Sequence, residues 1–217
     1  MKNKTLLYSK KDLSIIEKHI KKYFGHYDIV YHEIYSPDIH LDIIRIDSTP
    51  KHNYYTFITL GAGAYKMNIP NGLQIPSRAE YLITLPSDWD IDNLNSNQEL
   101  YWPIGFLKTA ARIPISCDSF LAYGHILSAD EKNSPLATNT KLCSMVLSYP
   151  KQFDQACLLA NLKNKEQVIF YKMNMLYEDE LLFKQKNEIS MEEFEKYLGD
   201  IILKPLDINR PSCIKNN

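Results

Sequence analysis

The sequence is poor in the motifs on which several common chemistries depend. It has four cysteines and no CxxC pair, which argues against a zinc knuckle; Cys143 and Cys157 lie in apolar runs typical of buried, reduced thiols. With only seven glycines it has no glycine-rich phosphate loop, because Gly61-Ala62-Gly63 lacks a third glycine and a predicted loop follows it. HExxH and GxSxG are also missing. These absences argue against the most easily recognised metalloprotease, hydrolase and nucleotide-binding classes.

Neither an excess of one charge nor a long apolar run is present. The chain carries 25 basic and 26 acidic residues, a net charge of -1, so it lacks the basic signature of a nucleic-acid binder. Residues 1–12 contain only the short apolar run Leu6-Leu7-Tyr8, too little for a signal peptide. No stretch approaches the roughly 18 apolar residues of a membrane span. We therefore expect a soluble, cytoplasmic protein, and its 217 residues with 45% apolar content fit one domain over 1–217.

Hydrophobic periodicity and turn residues predict a mixed α+β fold. Helices are predicted over 10–24, with Ser9 as N-cap, over 101–113 and 176–183, and from Ser190 to a stop at Gly199. Strands are predicted over 29–35, 39–46, 54–60, 80–85, 119–127, 141–149, 157–162 and 167–173. Strand-rich runs between a few helices predict a mixed, largely antiparallel sheet flanked by helices, because a doubly wound sheet requires strict βαβ alternation.

Two small clusters leave an enzyme possible. His40 and Asp42 are two residues apart on a predicted strand and therefore share one face, where they could begin a metal or acid–base site. A polar sheet face is the commoner meaning of such a pair. Cys117, Asp118 and His125 form a loose nucleophile–base set, although sequence cannot show that the three side chains converge.

A polar loop over 87–98 carries the clearest charge pattern. Asp88, Asp90, Asp92 and Glu99 match positions 1, 3, 5 and 12 of a calcium-binding loop, but Asn93 stands where that loop has glycine. The alternative is a solvated acidic surface. No Lys or Arg lies between Arg78 and Lys108, while these four residues and Glu80 give a local net charge of -5. Such a surface would steer a basic partner.

A series of short motifs then follows a familiar order. It consists of His40-Leu-Asp-Ile43, Tyr54-Tyr-Thr56, Met67-Asn-Ile-Pro70, Ala79-Glu-Tyr-Leu-Ile-Thr-Leu-Pro86, Asp88-Trp89, Trp102-Pro-Ile104, Tyr123-Gly-His125, Asn139-Thr-Lys-Leu142 and Asn209-Arg-Pro-Ser212. Together they resemble the Suppressor of fused (SUFU) domain family, specifically its stand-alone bacterial members. The resemblance is strong over 38–149 and continues more weakly to 212.

The resemblance implies a mixed sheet with flanking helices and a protein that binds other proteins. Eukaryotic members of the family bind a transcription-factor peptide, and bacterial members resemble immunity proteins that neutralise a cognate polymorphic toxin by sequestering it. No catalytic activity, metal or cofactor is implied. The alternatives are a metal-dependent enzyme using His40/Asp42 or the 88–99 loop, and a regulatory scaffold that captures an extended peptide.

The predicted partner-binding residues combine the acidic loop with the aromatic motifs. They are Asp88, Trp89, Asp90, Asp92, Glu99, Trp102, Tyr123 and His125. Structural alternatives accompany three of them: Trp89 is either an exposed interface anchor or a core plug, Trp102 could begin a helix and fill the core, and His125 could be a buried, hydrogen-bonded histidine.

Overall fold

The computed structural model describes residues 5–214, so the first residues of the segment 1–12 lie outside it. Its helices are α1 (Lys10–Tyr23), α2 (Gln98–Ser116), α3 (Glu178–Lys186) and α4 (Met191–Leu198). Its strands are β1 (Ile29–Tyr31), β2 (Asp42–Ile46), β3 (Tyr54–Leu60), β4 (Arg78–Pro86), β5 (Ile126–Ser128), β6 (Ser144–Ser148), β7 (Leu159–Asn161) and β8 (Gln167–Leu176). Within the described range, no helix is long and apolar enough to cross a bilayer.

All eight strands belong to one sheet, in the order β1-β2-β3-β4-β8-β6-β5, with β7 beside the first half of β8. Every pairing is antiparallel except the one between β4 and β8, which is parallel. The predicted mixed, largely antiparallel sheet flanked by helices is therefore confirmed.

Helices cover both faces of the sheet. Tyr81, Ile83 and Leu85 of β4 pack in one apolar cluster with α2, whereas Leu82 packs in a second cluster with Ile16 and Ile20 of α1. A third cluster lies beneath α4. Because β4 and β8 are buried on both sides, they consist of nearly unbroken apolar sequence, as is typical of central strands.

The predicted helix caps are confirmed where they rest on local chemistry. The Ser9 hydroxyl accepts a hydrogen bond from the Asp12 N–H at 3.1 Å, and the Ser190 hydroxyl accepts one from the Glu193 N–H at 3.1 Å. Both satisfy amides that the first turn of a helix leaves without a partner. The strand over 54–60 also has its predicted bounds.

The predicted bounds of α2 are wrong at both ends. The helix begins at Gln98, capped by Asn97, and continues to Ser116, so that Pro103 and Pro114 both lie inside it. A helix proline leaves the carbonyl four residues earlier without its N–H donor. For Pro103 this is the Glu99 carbonyl, which instead accepts a hydrogen bond from the Asn139 side-chain amide at 2.9 Å.

The strand predicted over 119–127 is also wrong for most of its length. Only Ile126–Ser128 forms β5, because the preceding residues make a turn in which the His125 N–H donates to the Ala122 carbonyl at 3.0 Å. Gly124 permits this turn with a φ of 81°. The predictions over 29–35, 39–46, 141–149 and 157–162 mark real strands that are shorter than expected. The helix predicted over 176–183 begins and ends later, as α3, because β8 continues to Leu176.

Candidate partner-binding surface

The acidic loop, residues 87–99, connects the end of β4 to the first turn of α2. Its first turn closes where the Trp89 N–H donates to the Pro86 carbonyl at 3.0 Å. The Asp90 carboxylate accepts hydrogen bonds from the backbone and side-chain N–H groups of Asn93 at 3.2 and 2.8 Å. Leu94 is 1% exposed and holds the middle of the loop against the core. The loop therefore has a defined shape although its charged side chains face solvent.

The two tryptophans serve mainly to hold this loop and helix in place. Trp89 is half-buried against the core, and its indole N–H donates to the Leu100 carbonyl at 3.2 Å. Trp102 is 8% exposed and packs in the same apolar cluster. Trp102 thus fills the core, as its structural alternative held, and Trp89 lies between the two alternatives, since part of its ring remains accessible.

The exposed negative charge of this region is one unit smaller than the sequence indicated. Four carboxylates are exposed: Asp88, Asp90, Asp92 and Glu99. Glu80, which the sequence placed with them, is 0% exposed; it accepts hydrogen bonds from the Tyr8 hydroxyl at 2.8 Å and the Gly61 N–H at 3.0 Å. Burial raises the pKa of Glu80 in spite of these donors. The surface charge of the loop is therefore -4. Glu80 is a structural residue on the face of β4 opposite to the one that packs against α2.

A segment that the sequence did not single out completes this surface. The Glu99 carboxylate accepts a hydrogen bond from the Thr138 hydroxyl, and Asn139 binds the Glu99 carbonyl. A cavity of about 410 Å³ lies between the start of α2 and residues 136–138, lined in part by Tyr101 and Trp102. The Asn139 motif in the family-like series was the available signal, but its position beside Glu99 depends on tertiary contacts.

Tyr123 and His125 lie elsewhere, at the side of the sheet that ends in β5. The Tyr123 ring stacks on Tyr149 with a centroid distance of 4.4 Å and an interplanar angle of 12°, and we call these two residues the tyrosine pair. Burial, followed by the charges of Glu195 and Glu192, raises the pKa of Tyr123. Across residues 5–214, no hydrogen bond or ring contact joins the tyrosine pair to the acidic loop.

His125 is only half-buried, so it lies between its two sequence alternatives. Its ring packs against Phe120 with centroids 4.7 Å apart, and burial lowers its pKa. Burial therefore favours the neutral form of this imidazole. Cys117 is exposed, and Asp118 accepts a hydrogen bond from the Tyr65 hydroxyl at 3.3 Å. In the part of the chain that the structure describes, no hydrogen bond links Cys117, Asp118 and His125.

His40 and Asp42 do meet, within a larger polar network. His40 Nε2 lies 3.3 Å from one Asp42 carboxylate oxygen, and His32 Nδ1 lies 2.9 Å from the other. The Glu33 N–H also donates to Asp42 at 3.0 Å, so this carboxylate is held from three directions. His32 and Glu33 were missed because they belong to a predicted strand that is in fact a loop.

Neither candidate metal site has the geometry of a coordination sphere. Among residues 5–214, no group of three or more His, Cys, Asp or Glu side chains is arranged to hold a metal ion. In the acidic loop, Asp90 is bound to Asn93, and Glu99 turns to Thr138 instead of closing the loop. All four cysteines lie in the described range and are free thiols, with Cys143 and Cys157 buried as predicted.

Comparison with known proteins identifies the family. The sequence model of the Suppressor of fused protein (SUFU) matches residues 37–211, which is most of the chain, so the protein belongs to the Suppressor of fused family. The Ureaplasma parvum serovar 3 protein UU111 is 27% identical over 216 residues, covering 96% of this chain and 98% of that protein.

Solved structures share the fold at low sequence identity. A SUFU homologue from Neisseria gonorrhoeae FA 1090 has a TM-score of 0.63 and 16% identity, over 96% of this chain and all of that one. A chain of the Sufu–Fu complex crystal structure has a TM-score of 0.61 and 14% identity, over 97% of this chain and 93% of that one. Drosophila Suppressor of Fused has a TM-score of 0.55 and 13% identity, over 94% of this chain and 50% of that one.

Proposed function

We propose that this protein binds another protein without catalysing a reaction, and that the bound protein is a cognate toxin whose activity is blocked by sequestration. The observation that carries the proposal is the acidic loop: four exposed carboxylates on a backbone that is fixed to the core of a Suppressor of fused fold. A solved SUFU relative in complex with Fu supports a protein as the class of partner.

The charge pattern favours a basic partner. Like charges held close together by a folded loop remain unneutralised, since none of Asp88, Asp92 and Glu99 has an ion-pair partner within residues 5–214. Complementary charges on a partner would raise the association rate, an effect that weakens as salt screens the field.

The rigidity of the loop favours tight binding. Ordering a flexible loop at an interface lowers affinity, whereas a loop that already has its bound shape avoids that loss. In this protein the loop backbone is already fixed without a partner. The contacts that fix it are the burial of Leu94, the hydrogen bond of the Trp89 indole and the Asp90–Asn93 hydrogen bonds. The cavity between α2 and residues 136–138 adds a concave, partly aromatic area beside the charges.

The test uses the proteins encoded by the genes on either side of this one, each immobilised in turn as a candidate partner. The variant Asp88→Asn/Asp90→Asn/Asp92→Asn should associate roughly tenfold more slowly at low salt, with a flatter dependence on ionic strength. Its matched control, Glu131→Gln/Glu188→Gln/Glu193→Gln, removes the same charge from exposed sites elsewhere. Equal association rates for the two triple variants would contradict a role for the acidic loop, and failure of the wild type to bind would contradict the toxin assignment.

A second candidate function is capture of an extended peptide at β5, which pairs only with β6 among the described strands. The His125 carbonyl accepts from the Leu147 N–H and the Ala129 N–H donates to Cys143, so by alternation the backbone groups of Ile126 and Ser128 face away from β6. An unpaired edge of this kind is a template for strand addition.

The two candidates can be separated with one substitution. Ser128→Pro removes an outward-facing N–H and leaves the β5–β6 hydrogen bonds in place. It should abolish binding of a partner that adds a strand and leave binding at the acidic loop unchanged. Normal binding by Ser128→Pro together with slow association of the Asn triple variant would exclude the edge-strand function.

A further inference from the structure

A cavity of about 460 Å³ lies on the α4 side of the sheet, away from the acidic loop. Strands β4 and β8 form its floor, and residues 198–213 form its walls and roof. The roof is held at two points, by the Leu206 N–H donating to the Thr84 carbonyl at 2.8 Å and by the Arg210–Glu180 ion pair at 2.6 Å. Its volume lies within the range of small-molecule sites, roughly 300–1,000 Å³.

The floor contains a buried lysine that has no carboxylate partner. Lys172 is 2% exposed, and its ammonium donates to the carbonyls of Ile202 and Lys204, both at 2.8 Å. An ammonium has three N–H groups, so one is left over. Lys172 takes part in none of the ion pairs formed by residues 5–214. Burial lowers its pKa to about 7, which is the consequence expected for a cation without a counter-ion.

The other charges around the cavity are already engaged or lie at its rim. Lys204 pairs with Asp200 at 3.3 Å, and Arg210 pairs with Glu180. Asp207 is exposed and accepts a hydrogen bond from the Asn209 N–H at 2.9 Å. No charged group contributes to the pKa shift of Lys172, which arises from burial alone.

Two further polar atoms on the floor lack a partner in the described structure. They are the hydroxyl oxygen of Thr84, which is 1% exposed, and the side-chain carbonyl oxygen of Asn174, which is 4% exposed. The amide orientation of Asn174 is fixed, because its N–H₂ lies next to the carbonyl oxygens of Val146 and Lys172, which can only accept. Buried polar atoms in folded proteins nearly always have a partner, protein or otherwise.

These three residues are neighbours. Lys172 pairs with Leu82 at the end of the parallel β4–β8 register. Thr84 and Asn174, each two residues further along its own strand, line the same cavity as Lys172. Side chains two apart in a strand share one face, which places Lys172 on the same floor. The cavity thus presents one spare cationic N–H beside two atoms that can accept hydrogen bonds, beneath apolar walls that include Leu198, Ile201 and Pro205.

We propose that this cavity is a binding site for a small carboxylic acid that carries an amino or hydroxyl group on the carbon next to the carboxylate. The carboxylate accepts the spare N–H of Lys172 and supplies its counter-ion. The neighbouring amino or hydroxyl group donates to Thr84 Oγ1, and an amino group has a further N–H for Asn174 Oδ1. The apolar walls accommodate a branched aliphatic side chain. This site is independent of the proposed partner binding.

Four matched probes test each part of this chemistry on the full chain. L-leucine and 2-hydroxy-4-methylpentanoate have both polar groups, 4-methylpentanoate lacks the donor, and isopentylamine lacks the carboxylate. Binding is measured by isothermal titration calorimetry and by ligand-observed NMR at pH 6. We expect L-leucine, its hydroxy analogue or both to bind, and the two truncated probes to bind at least tenfold more weakly; the comparison of the first two identifies the preferred donor.

Two variants and a control assign the binding to this cavity. Lys172→Met should abolish binding, and Thr84→Val, which preserves side-chain shape, should weaken it several-fold even if the Lys172 variant folds poorly. Lys163→Met, at an exposed lysine, should bind like the wild type. Affinity should also fall at least tenfold from pH 6 to pH 8.5 as Lys172 loses its charge. Absence of binding by both complete probes, or equal binding by the wild type and Thr84→Val, would overturn the proposal and leave water as the occupant of the cavity.

Discussion

The ion pair between Glu180 and Arg210 should contribute more to stability than any surface pair in the protein. Glu180 is 0% exposed at its side chain and Arg210 9%, and the two form parallel hydrogen bonds, each 2.6 Å long. The Glu180 carboxylate also accepts from the N–H groups of Tyr177 and Cys213 at 2.9 and 2.8 Å. Arg210 donates to the Met175 carbonyl at 2.8 Å. The pair therefore fastens the C-terminal segment to β8 and α3.

The substitution Arg210→Met leaves the Glu180 carboxylate buried without its cation. Loss of one member of a buried pair destabilises proteins by about 3–5 kcal/mol, whereas an exposed pair contributes about 0–1 kcal/mol. Lys204→Met provides the matched control, because it breaks the exposed Lys204–Asp200 pair in the same segment. We expect urea unfolding to give a loss of about 3–5 kcal/mol for Arg210→Met and less than about 1 kcal/mol for the control.

The double variant Glu180→Met/Arg210→Met and the pH dependence sharpen this test. The double variant should recover part of the loss, because no charge is then left buried. Burial acts to raise the pKa of Glu180, but the Arg210 guanidinium and the N–H groups of Cys213 and Tyr177 together outweigh it, and the net pKa is lowered. The stabilisation is therefore present above the ordinary glutamate pKa and is lost as pH falls through the lowered value. Equal losses for Arg210→Met and Lys204→Met would refute the argument.

Three further predictions concern other parts of the fold. Gly61→Ala should lower the free energy of unfolding by at least about 2 kcal/mol in chemical unfolding, since φ is 127° and a Cβ would lie 2.0 Å from the His40 carbonyl oxygen. Gly72→Ala should lower it less, because a Cβ there would meet no atom within 4 Å. The free energy of unfolding of the wild type should rise on the order of 1–2 kcal/mol between about pH 7 and about pH 8.5. In this pH range Lys172 keeps its proton in the unfolded chain but loses it in the folded protein. Thermal unfolding of Lys172→Met should lack this rise. Asn139→Ala should lose about 1 kcal/mol in urea unfolding by freeing the Glu99 carbonyl, and an unchanged midpoint would contradict that role.

Local sequence signals predicted those elements whose ends depend on neighbouring residues. Ser9 and Ser190 cap helices with amides three residues away, so a short window contains all the necessary information. The bounds of α2 could not be predicted in this way, because the carbonyl freed by Pro103 finds its donor in Asn139, far along the chain. The same holds for residues 119–125, whose turn depends on Gly124, since a Cβ added there would lie 3.0 Å from the Cβ of Met191 in α4.

The candidate sites differ in the same respect. The exposed charges of Asp88, Asp90 and Asp92 were evident from a loop rich in polar residues. The burial of Glu80 was not, because β4 is covered on both faces and its two sets of side chains look alike in sequence. One available signal was overlooked: Lys172 and Asn174 stand two apart within an otherwise apolar strand, which places two polar groups on one buried face.

The parallel pairing of β4 with β8 has a consequence for biosynthesis. Strands β1 to β4 form a continuous antiparallel meander that can assemble soon after it leaves the ribosome. The outer edge of β4, however, stays unpaired until β8 has been synthesised, and residues 87–166 are translated between the two strands. At about 5–20 residues per second this takes several seconds, during which an apolar strand edge is open to other nascent chains. Slow translation or high expression should therefore favour aggregation of this protein. Faster synthesis of residues 87–176, which makes β8 available to β4 sooner, should reduce aggregation.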